Sequence, residues 1–421
     1  MPPLEHSGRT LGRMLSADHR ANEERPRHMY ERALSRVPAD VKNVYTVNPL
    51  ARQSVAGGLT SGLTSGLASC GSRGVDQEKQ MQTEERRMSG KGIYCEGVAG
   101  LAQLDAEALQ QMCADWDSLL SQLRVGGSLD GHLPSERVER KQHQITNMMF
   151  FVAIQLLALG AQPQRGKRSR ELGHCPHDEG EAKSTVSRQS GEPPLKVVDF
   201  CCGGGHQSLP LAHMFPQVQF VLIDCKARSL DIARRRAQLV GLCNVEFLEA
   251  RIECFNDPFD VGLALHACGC ASDIALDKCL AAGAACVMAP CCVGKLRHAT
   301  STRSDTVGTD DSGIEYPRSG AVRDALDFGD YLQLARAADF GHAGYDDSVP
   351  SKTARPQAAQ LRRRCKSVIE WDRNMRAAER GYAVWQMVME PPWCTPKNDV
   401  LVGSPAVAAM GLCNVLGSRT K

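Results

Sequence analysis

The segment VVDFCCGGGHQSLPLA, residues 197–212, constrains the fold of this chain more than any other stretch. An apolar run ends at the carboxylate of Asp199, and Gly203, Gly204 and Gly205 then precede a helical pattern. Glycine lets a backbone turn tightly and approach a ligand closely, and the N-terminus of the following helix offers free N–H groups. The segment therefore predicts a strand, a ligand-binding loop and a helix at the edge of a sheet.

Short apolar runs alternate with helical segments from residue 195 onward. Strands are predicted at LKVVDF, VQFVLID, NVEFLEA, PFDVGLALHA and AACVMAP, with helices near 206–215, 227–240 and 272–282. This alternation is typical of a parallel sheet with right-handed crossovers. Near the end, YAVWQMVME and NDVLVGSP are close enough in sequence to form an antiparallel pair. We therefore expect a doubly wound, Rossmann-like α/β sheet, mostly parallel, with an antiparallel C-terminal strand and a short helical region before it.

The same patterns predict the domain organisation. Residues 1–92 are polar and contain the repeat GLTSGLTSGLAS, which predicts a disordered low-complexity tail. Apolar residues at helical spacing over 101–123 and 145–159 predict a helical extension at 93–160. A polar linker or insertion follows at 161–194. The main domain is expected at 195–405, with insertions at 299–325 and 341–360 around a helix near 328–338, and a tail at 406–421.

Charge and composition limit the partners. The 50 basic and 48 acidic side chains give a net charge of +2, so no global field attracts a polyanion. RNA could bind only at a local patch, and nothing signals DNA. No stretch has the roughly 18 consecutive apolar residues of a membrane span, and the first thirty residues lack a secretory signal. We therefore expect a cytoplasmic protein whose 18 cysteines are mostly reduced thiols. The oligomeric state is left open.

The glycine loop favours S-adenosylmethionine over NAD as the ligand. A dinucleotide fingerprint needs a third glycine where this chain has Ser208. In the loop 199–206, which includes Cys201 and His206, a carboxylate and backbone amides suit the zwitterionic amino-acid tail of S-adenosylmethionine. Asp224 ends the second strand 19 residues after Gly205 (224 − 205), where it could accept both ribose hydroxyls. The spacing does not by itself exclude NAD, or a non-catalytic module that keeps the fold.

Four segments together resemble a known family: VVDFCCGGGHQSLPLAHMFP, LALHACGCASDIAL, APCCVGKL and EPPWCTPKNDVLVG. They are similar to the methyltransferase domain of the glutathione S-transferase C-terminal domain-containing protein family and, more loosely, to other cysteine-rich RNA methyltransferases. The resemblance covers residues 134–158, 193–297 and 362–404. It implies a class I S-adenosylmethionine-dependent methyltransferase fold. Glutathione binding is not carried over, because residues 1–92 and the two predicted helices are too little to supply the glutathione-transferase-like helical region of the animal relatives.

The ends of the third and fourth strands supply further candidates. Arg251 has no side-chain acceptor for the adenine amine, so the backbone of Arg251 and Ile252 is expected to hold the base. His266 could accept a proton from the substrate nucleophile, or could simply be packed in the core. Asp273 could orient His266, although capping of the next helix is the favoured role.

Cys291 and Cys292 follow the fifth strand and have three interpretations. They could be small buried hydrophobes, nucleophiles that attack a pyrimidine ring, or residues that shape the cleft or bind a metal. Nothing cationic lies next to them in sequence except Lys295, which disfavours the nucleophile. With Cys268 and Cys270 they form C-x-C and C-C pairs, whereas zinc sites prefer C-x₂₋₄-C, so no metal is predicted.

For the chemistry, the sequence predicts direct in-line methyl transfer to a polar nucleophile, with RNA as the expected substrate. The basic cluster at 234–236 lies on a predicted crossover helix and is expected to face solvent, whereas the cluster at 362–364 could lie beside the cleft mouth, where a phosphate contact is possible. Neither cluster has interleaved aromatics, so both are weak evidence for an RNA site.

Overall fold

The computed structural model describes residues 134–163, 193–293, 296, 299–301, 306–310, 312–339, 356–405 and 412. The predictions for the tail 1–92, the helix at 101–123, most of the linker 161–194 and nearly all of the insertion 341–360 lie outside the described residues, as does the C-terminal tail apart from Leu412.

The described elements follow the predicted alternation of strands and helices. In chain order they are α1 Ser135–Ala158, β1 Lys196–Phe200, α2 Ser208–Met214, β2 Gln219–Asp224, α3 Ala227–Leu239, β3 Val245–Glu249, β4 Val261–Leu265, α4 Cys270–Ala282, β5 Ala285–Ala289, β6 Thr300–Ser301, β7 Gly308–Thr309, β8 Glu315–Tyr316, α5 Gly320–Ala325, α6 Phe328–Ala338, α7 Pro356–Ala378, β9 Tyr382–Val388 and β10 Asp399–Pro405.

Among the described residues, seven strands form one sheet in the order β3-β2-β1-β4-β5-β10-β9. The first five are parallel to their neighbours, and β10 runs antiparallel between β5 and β9. The order reverses on either side of β1, so the loops after β1 and β4 leave the sheet at its switch point, where doubly wound folds bind ligands. The predicted fold class is confirmed, including the antiparallel C-terminal strand.

Alternate strand residues are buried on the two faces of the sheet. One face packs against α1, α2 and α3 through residues such as Val197 and Phe220, and the other packs against α4 through residues such as Val198 and Phe200. Such burial on both faces explains why the strands are nearly continuous apolar runs. Because the sheet is covered on both sides, the carboxyl ends of the strands are where a ligand can reach it.

The described part of 299–325 contains β6, β7, β8 and α5 rather than only polar loop. Tyr316 and Val322 in this segment, and Leu326 directly after it, are buried against α6 and α7 in a hydrophobic cluster separate from the main sheet. These apolar residues are spaced too widely in sequence to form a recognisable periodic pattern.

None of the helices in the described ranges is long and apolar enough to cross a membrane. Twelve of the described cysteines are free thiols, as expected, whereas Cys243 is disulfide-bonded.

Candidate functional site

The loop between β1 and α2 turns through left-handed backbone conformations. Cys201, Gly203 and Gly205 have φ of 63°, 55° and 70°. A Cβ on Gly205 would lie 3.0 Å from the side chains of Leu209 and Leu222, so this position also needs glycine for space. Cys201 takes the place of a glycine in conformation as well as in sequence, and a left-handed conformation is strained for a residue with a side chain.

Gly204 is held by a buried arginine that the sequence did not predict. Arg236, in α3, is 1% exposed and donates from Nη1 to the Gly204 carbonyl at 2.7 Å. A Cβ on Gly204 would lie only 2.3 Å from that nitrogen. The expectation that the 234–236 cluster is entirely solvated is therefore wrong for Arg236. A signal was present in the sequence, because Leu230, Ala233 and Ala237 repeat at helical spacing. Arg236 is buried on the same face of α3.

Asp199 supports the loop instead of facing the cleft. Its carboxylate is fully buried, and it accepts hydrogen bonds from Gln207 at 2.9 Å and from the Ser208 hydroxyl at 2.5 Å. Burial raises the pKa of Asp199 to about 7, against the lowering effect of the bonds from Ser208 and Gln207. These bonds assign Asp199 a role in fixing the start of α2. Contact with a ligand ammonium stays a prediction.

Asp224 lies beside the same loop, at the end of β2. Its Oδ2 accepts from the Gly203 amide and its Oδ1 from the Lys226 amide, both at 2.9 Å. The side chain is half-buried, so the carboxylate remains reachable from the cleft. The predicted pairing of glycine loop and second-strand carboxylate is thus present in the geometry.

Arg251 and Ile252 follow β3 in a short 3₁₀ turn. Their carbonyls accept from the amides of Cys254 and Phe255, each at 3.1 Å. The Arg251 side chain points into solvent and pairs with Glu253 at 2.8 Å, while Ile252 is buried. Adenine recognition by these two backbones stays a prediction, and their carbonyls are already engaged.

His266 follows β4 with a left-handed backbone, φ 61°. Its Nε2 lies 2.8 Å from Oε1 of Gln144, and Nε2 of the same amide donates to the Cys394 carbonyl at 2.8 Å. Because the amide nitrogen is used by Cys394, the Gln144 oxygen faces the ring, and His266 must donate from Nε2. Nδ1 then carries the lone pair. Desolvation, together with the positive charge of Lys141, lowers the pKa of His266 below its ordinary value, although the residue as a whole is exposed.

One ridge of α1 connects three separate loops at this edge of the sheet. Lys141 Nζ lies 2.8 Å from His206 Nε2 in the glycine loop, and Gln144 bridges His266 and Cys394. Asn147 exchanges two hydrogen bonds with the backbone of Glu390, after β9. The sequence predicted the helix but not this polar ridge, because its partners lie up to 250 residues away.

The loop after β9 presents Trp393, whose side chain is 53% exposed. The His143 ring, on α1 directly before Gln144, meets the indole edge-on at a centroid distance of 5.1 Å. The adjacent Cys394 accepts from Gln144, which also contacts His266, so the loop that carries the indole and the loop that carries His266 meet at the same residue of α1. No local sequence pattern pairs these two rings, which are far apart along the chain.

Asp273 is neither a cap nor a partner of His266, which corrects both predicted roles. Helix α4 begins at Cys270 after Gly269, without a side-chain cap. Asp273 is fully buried and accepts from Arg373 at 3.0 Å through both Nε and Nη2. Arg318 and the Tyr316 hydroxyl approach the same carboxylate at 3.3 and 3.1 Å. Burial alone would raise the pKa of Asp273, but the two arginines lower it below its ordinary value.

Cys268, Cys291 and Cys292 meet where β4 and β5 end. The Sγ atoms of Cys268 and Cys291 are 3.1 Å apart, whereas Cys270 points elsewhere and accepts from Ser312 at 3.2 Å. Hydrogen bonds from Cys268 and Cys291 lower the pKa of Cys292, and the same contacts raise the pKa of Cys291. Lys295 lies outside the described residues.

The second basic cluster is also partly internal. Arg363 Nη1 donates to the buried carboxylate of Asp399, in β10. Arg363, whose side chain is partly exposed, is therefore held by a buried carboxylate.

Comparisons with known proteins give matches to methyltransferases. A family model described as a methyltransferase domain matches residues 181–299. A glutathione S-transferase C-terminal domain-containing protein from Xenopus laevis is 31% identical over 291 residues, covering 69% of this chain and 38% of that protein. The ribosomal RNA small subunit methyltransferase G of Porphyromonas gingivalis is 38% identical over 69 residues, covering 16% of this chain and 31% of that protein.

A solved rRNA methylase from Streptococcus thermophilus covers 25% of this chain and 74% of its own, at 16% identity and a TM-score of 0.21. The fold assignment rests on the strand order and not on that likeness. The matches confirm the family resemblance of the motif segments, and the region matched in the Xenopus protein is less than two-fifths of its length.

Proposed function

We propose that this chain, which carries a methyltransferase domain of the kind found in glutathione S-transferase C-terminal domain-containing proteins, binds S-adenosylmethionine and transfers its methyl group. The observation that carries the proposal is the left-handed glycine loop at the switch point, with the half-buried Asp224 beside it. A carboxylate at the end of the second strand suits a pair of ribose hydroxyls.

The residues around the loop fit the parts of this cofactor. The Gly203 and Gly205 amides already donate to Asp224 and to the Cys202 carbonyl, so the amides at the start of α2 are the ones that suit the cofactor carboxylate, because helix N-termini attract anions. Asp199 acts through Ser208 and Gln207 by holding that helix start in place. When bound, S-adenosylmethionine supplies an already activated methyl group. The protein's main tasks are then to position the acceptor and to remove its proton.

His266 is the proposed proton acceptor. Its Nε2–H is held by Gln144, which leaves Nδ1 free to accept a proton from the substrate nucleophile. A thiol route through Cys291 or Cys292 is less well supported, because these thiols form hydrogen bonds with each other and with Cys268. We therefore favour direct in-line transfer without a covalent enzyme intermediate.

RNA is the proposed acceptor class. The local similarity to a ribosomal RNA methyltransferase supports this choice. The exposed Trp393 also suits stacking on an unpaired base, which contributes about 1–3 kcal/mol per base in single-strand binding.

Calorimetric titration tests the cofactor assignment. Wild type should bind S-adenosylmethionine, and Asp224→Ala should bind it much more weakly. Asp231→Ala, which removes an exposed carboxylate from α3, is the matched control and should bind like wild type. Absence of binding in wild type, or equal affinity in Asp224→Ala, contradicts the assignment.

A thermal-shift scan separates the alternatives. S-adenosylhomocysteine at about 100 times its Kd should stabilise the fold by about 2.7 kcal/mol. A folded protein that S-adenosylhomocysteine does not stabilise would instead be a non-catalytic module. Stabilisation by NAD would favour an oxidoreductase.

The acceptor is tested with radiolabelled cofactor added to total cellular RNA and protein, followed by digestion and chromatography. Label should appear in RNA and be lost with His266→Asn. Label only in protein would contradict the RNA proposal. A protein–RNA adduct that survives denaturation would overturn direct transfer in favour of the thiol route.

A further inference from the structure

Three cysteine side chains form a compact cluster that neither the cofactor loop nor the proposed proton transfer uses. Cys268 follows β4, and Cys291 and Cys292 follow β5. Their Sγ atoms all lie within 4.8 Å of one another. Among the residues that the structure describes, no other group of His, Cys, Asp or Glu side chains brings three ligand atoms this close together.

The spacing of the sulfurs fits one tetrahedral zinc ion. A Zn–S bond of about 2.3 Å places two sulfurs of a tetrahedral site about 3.8 Å apart. This value lies between the 3.1 Å that separates Cys268 from Cys291 and the 4.8 Å upper limit for the cluster. Small side-chain movements are therefore sufficient to reach coordination geometry.

The sheet preorganises this cluster. Leu265 and Ala289, the last residues of β4 and β5, are paired in register, so the two cysteine segments leave adjacent strands at the same level. The cysteine spacing did not predict zinc, because the C-x₂₋₄-C pattern describes two ligands on one local turn. Here the first ligand and the other two come from neighbouring strands.

Exposure and charge also suit an ion. Cys268 is exposed and gives an ion access from solvent, while Cys292 is buried and anchors the cluster. Zn²⁺ with three thiolates carries a net charge of −1. Lys397, which also pairs with Asp339 at 3.6 Å, is close enough to interact electrostatically with Cys268 and Cys292.

The site brings three thiols together, whereas a disulfide needs only two and a hydrophobic patch needs none. Thiolates are soft ligands that select zinc and other thiophilic ions. We propose that Cys268, Cys291 and Cys292 together bind one Zn²⁺ ion through their sulfurs, with solvent or a bound molecule as the fourth ligand. On binding, Zn–S bonds replace the S–H bonds and the thiol protons pass to solvent.

The test uses the full chain, reduced without added thiols and stripped with a chelator. Co²⁺ is the probe, followed through its thiolate charge-transfer absorption, and native mass spectrometry counts bound ions. Wild type should bind one ion per chain. Cys268→Ser and Cys291→Ser should each weaken binding by more than about 100-fold, which exceeds the usual loss on removing an outer-shell partner. Cys254→Ser, at an exposed free cysteine outside the cluster, is the matched control and should bind like wild type.

A second measurement needs no variant and guards against misfolding of the serine proteins. One equivalent of Zn²⁺ should slow alkylation of the exposed Cys268 in wild type at least tenfold and leave alkylation of Cys254 unchanged. The proposal is overturned if reduced wild type shows no charge-transfer band, if the cluster variants keep it, or if Zn²⁺ leaves the alkylation of Cys268 unchanged. None of these outcomes depends on whether the cofactor binds, so the proposed function is tested separately.

Discussion

Replacing Asp273 by Asn should destabilise the fold without affecting the cofactor. The carboxylate receives two bonds from Arg373, both at 3.0 Å, and a third approach from Arg318 at 3.3 Å. All three side chains are at most 5% exposed. The network links α4 to α7 and to the segment after β8. An amide in place of the carboxylate leaves a buried guanidinium with one charge partner fewer.

The size of the effect follows from burial. Breaking a buried ion pair by removing one partner costs about 3–5 kcal/mol. Arg373 keeps Glu370 at 2.9 Å and Arg318 keeps Asp277 at 2.7 Å, so we expect the lower end, about 3 kcal/mol. If the free energy of unfolding falls by about 3 kcal/mol per molar urea, the urea concentration at the unfolding midpoint should fall by about 1 M.

Urea unfolding of wild type and Asp273→Asn measures this loss, and Asp277→Asn is the matched control. Asp277 is 42% exposed, so its replacement should cost less than about 1 kcal/mol. The folded state lowers the pKa of Asp273, so its contribution is present above the unfolded pKa and is lost as pH falls. The difference between wild type and Asp273→Asn should therefore shrink in acid.

The opposite pattern would refute this reasoning. If Asp273→Asn unfolds at the wild-type urea concentration but loses methyl transfer, the carboxylate acts in the reaction and not in the buried network.

Three further predictions concern the cleft. Burial raises the pKa of Asp199 to about 7 from an ordinary value of 3.8, so wild type should lose about 4 kcal/mol of stability as pH rises through this range. Asp199→Asn should flatten that slope in urea unfolding, and an unchanged slope would assign it to another group. Cys201→Gly should keep cofactor affinity within about twofold and raise stability by up to about 1 kcal/mol, because glycine relieves the left-handed strain, whereas Cys201→Val should destabilise. Trp393→Ala should weaken RNA binding by about 1–3 kcal/mol in a filter-binding assay, and Trp393→Phe should retain most of it; equal loss in both would argue against stacking.

The sequence predicted those features that depend on local pattern. Strand alternation, the glycine loop and Asp224 were readable because their spacing is set by one strand–loop–helix unit. The buried Arg236 was visible in principle from the apolar face of α3. Asp273 was misassigned because its partner Arg373 lies 100 residues away and no local pattern pairs the two residues.

The polar contacts made by the ridge of α1 could not be predicted from the sequence for the same reason. Gln144 and Asn147 look like ordinary polar residues of an amphipathic helix, and only the fold brings His266 and Glu390 to them. The cysteine cluster depends on the register of β4 and β5, which sequence spacing does not contain.

The long span between Gln144 and Cys394 also sets an order of events during synthesis. Helix α1 leaves the ribosome first, but its partner carbonyl follows 250 residues later. At about 5–20 residues per second, roughly 12–50 s pass before that carbonyl is even made. The central strands can pair during this interval, whereas the loop after β9, which carries Trp393 and Cys394, cannot yet join the cleft. A nascent chain is therefore expected to hold a glycine loop long before it can enclose an acceptor.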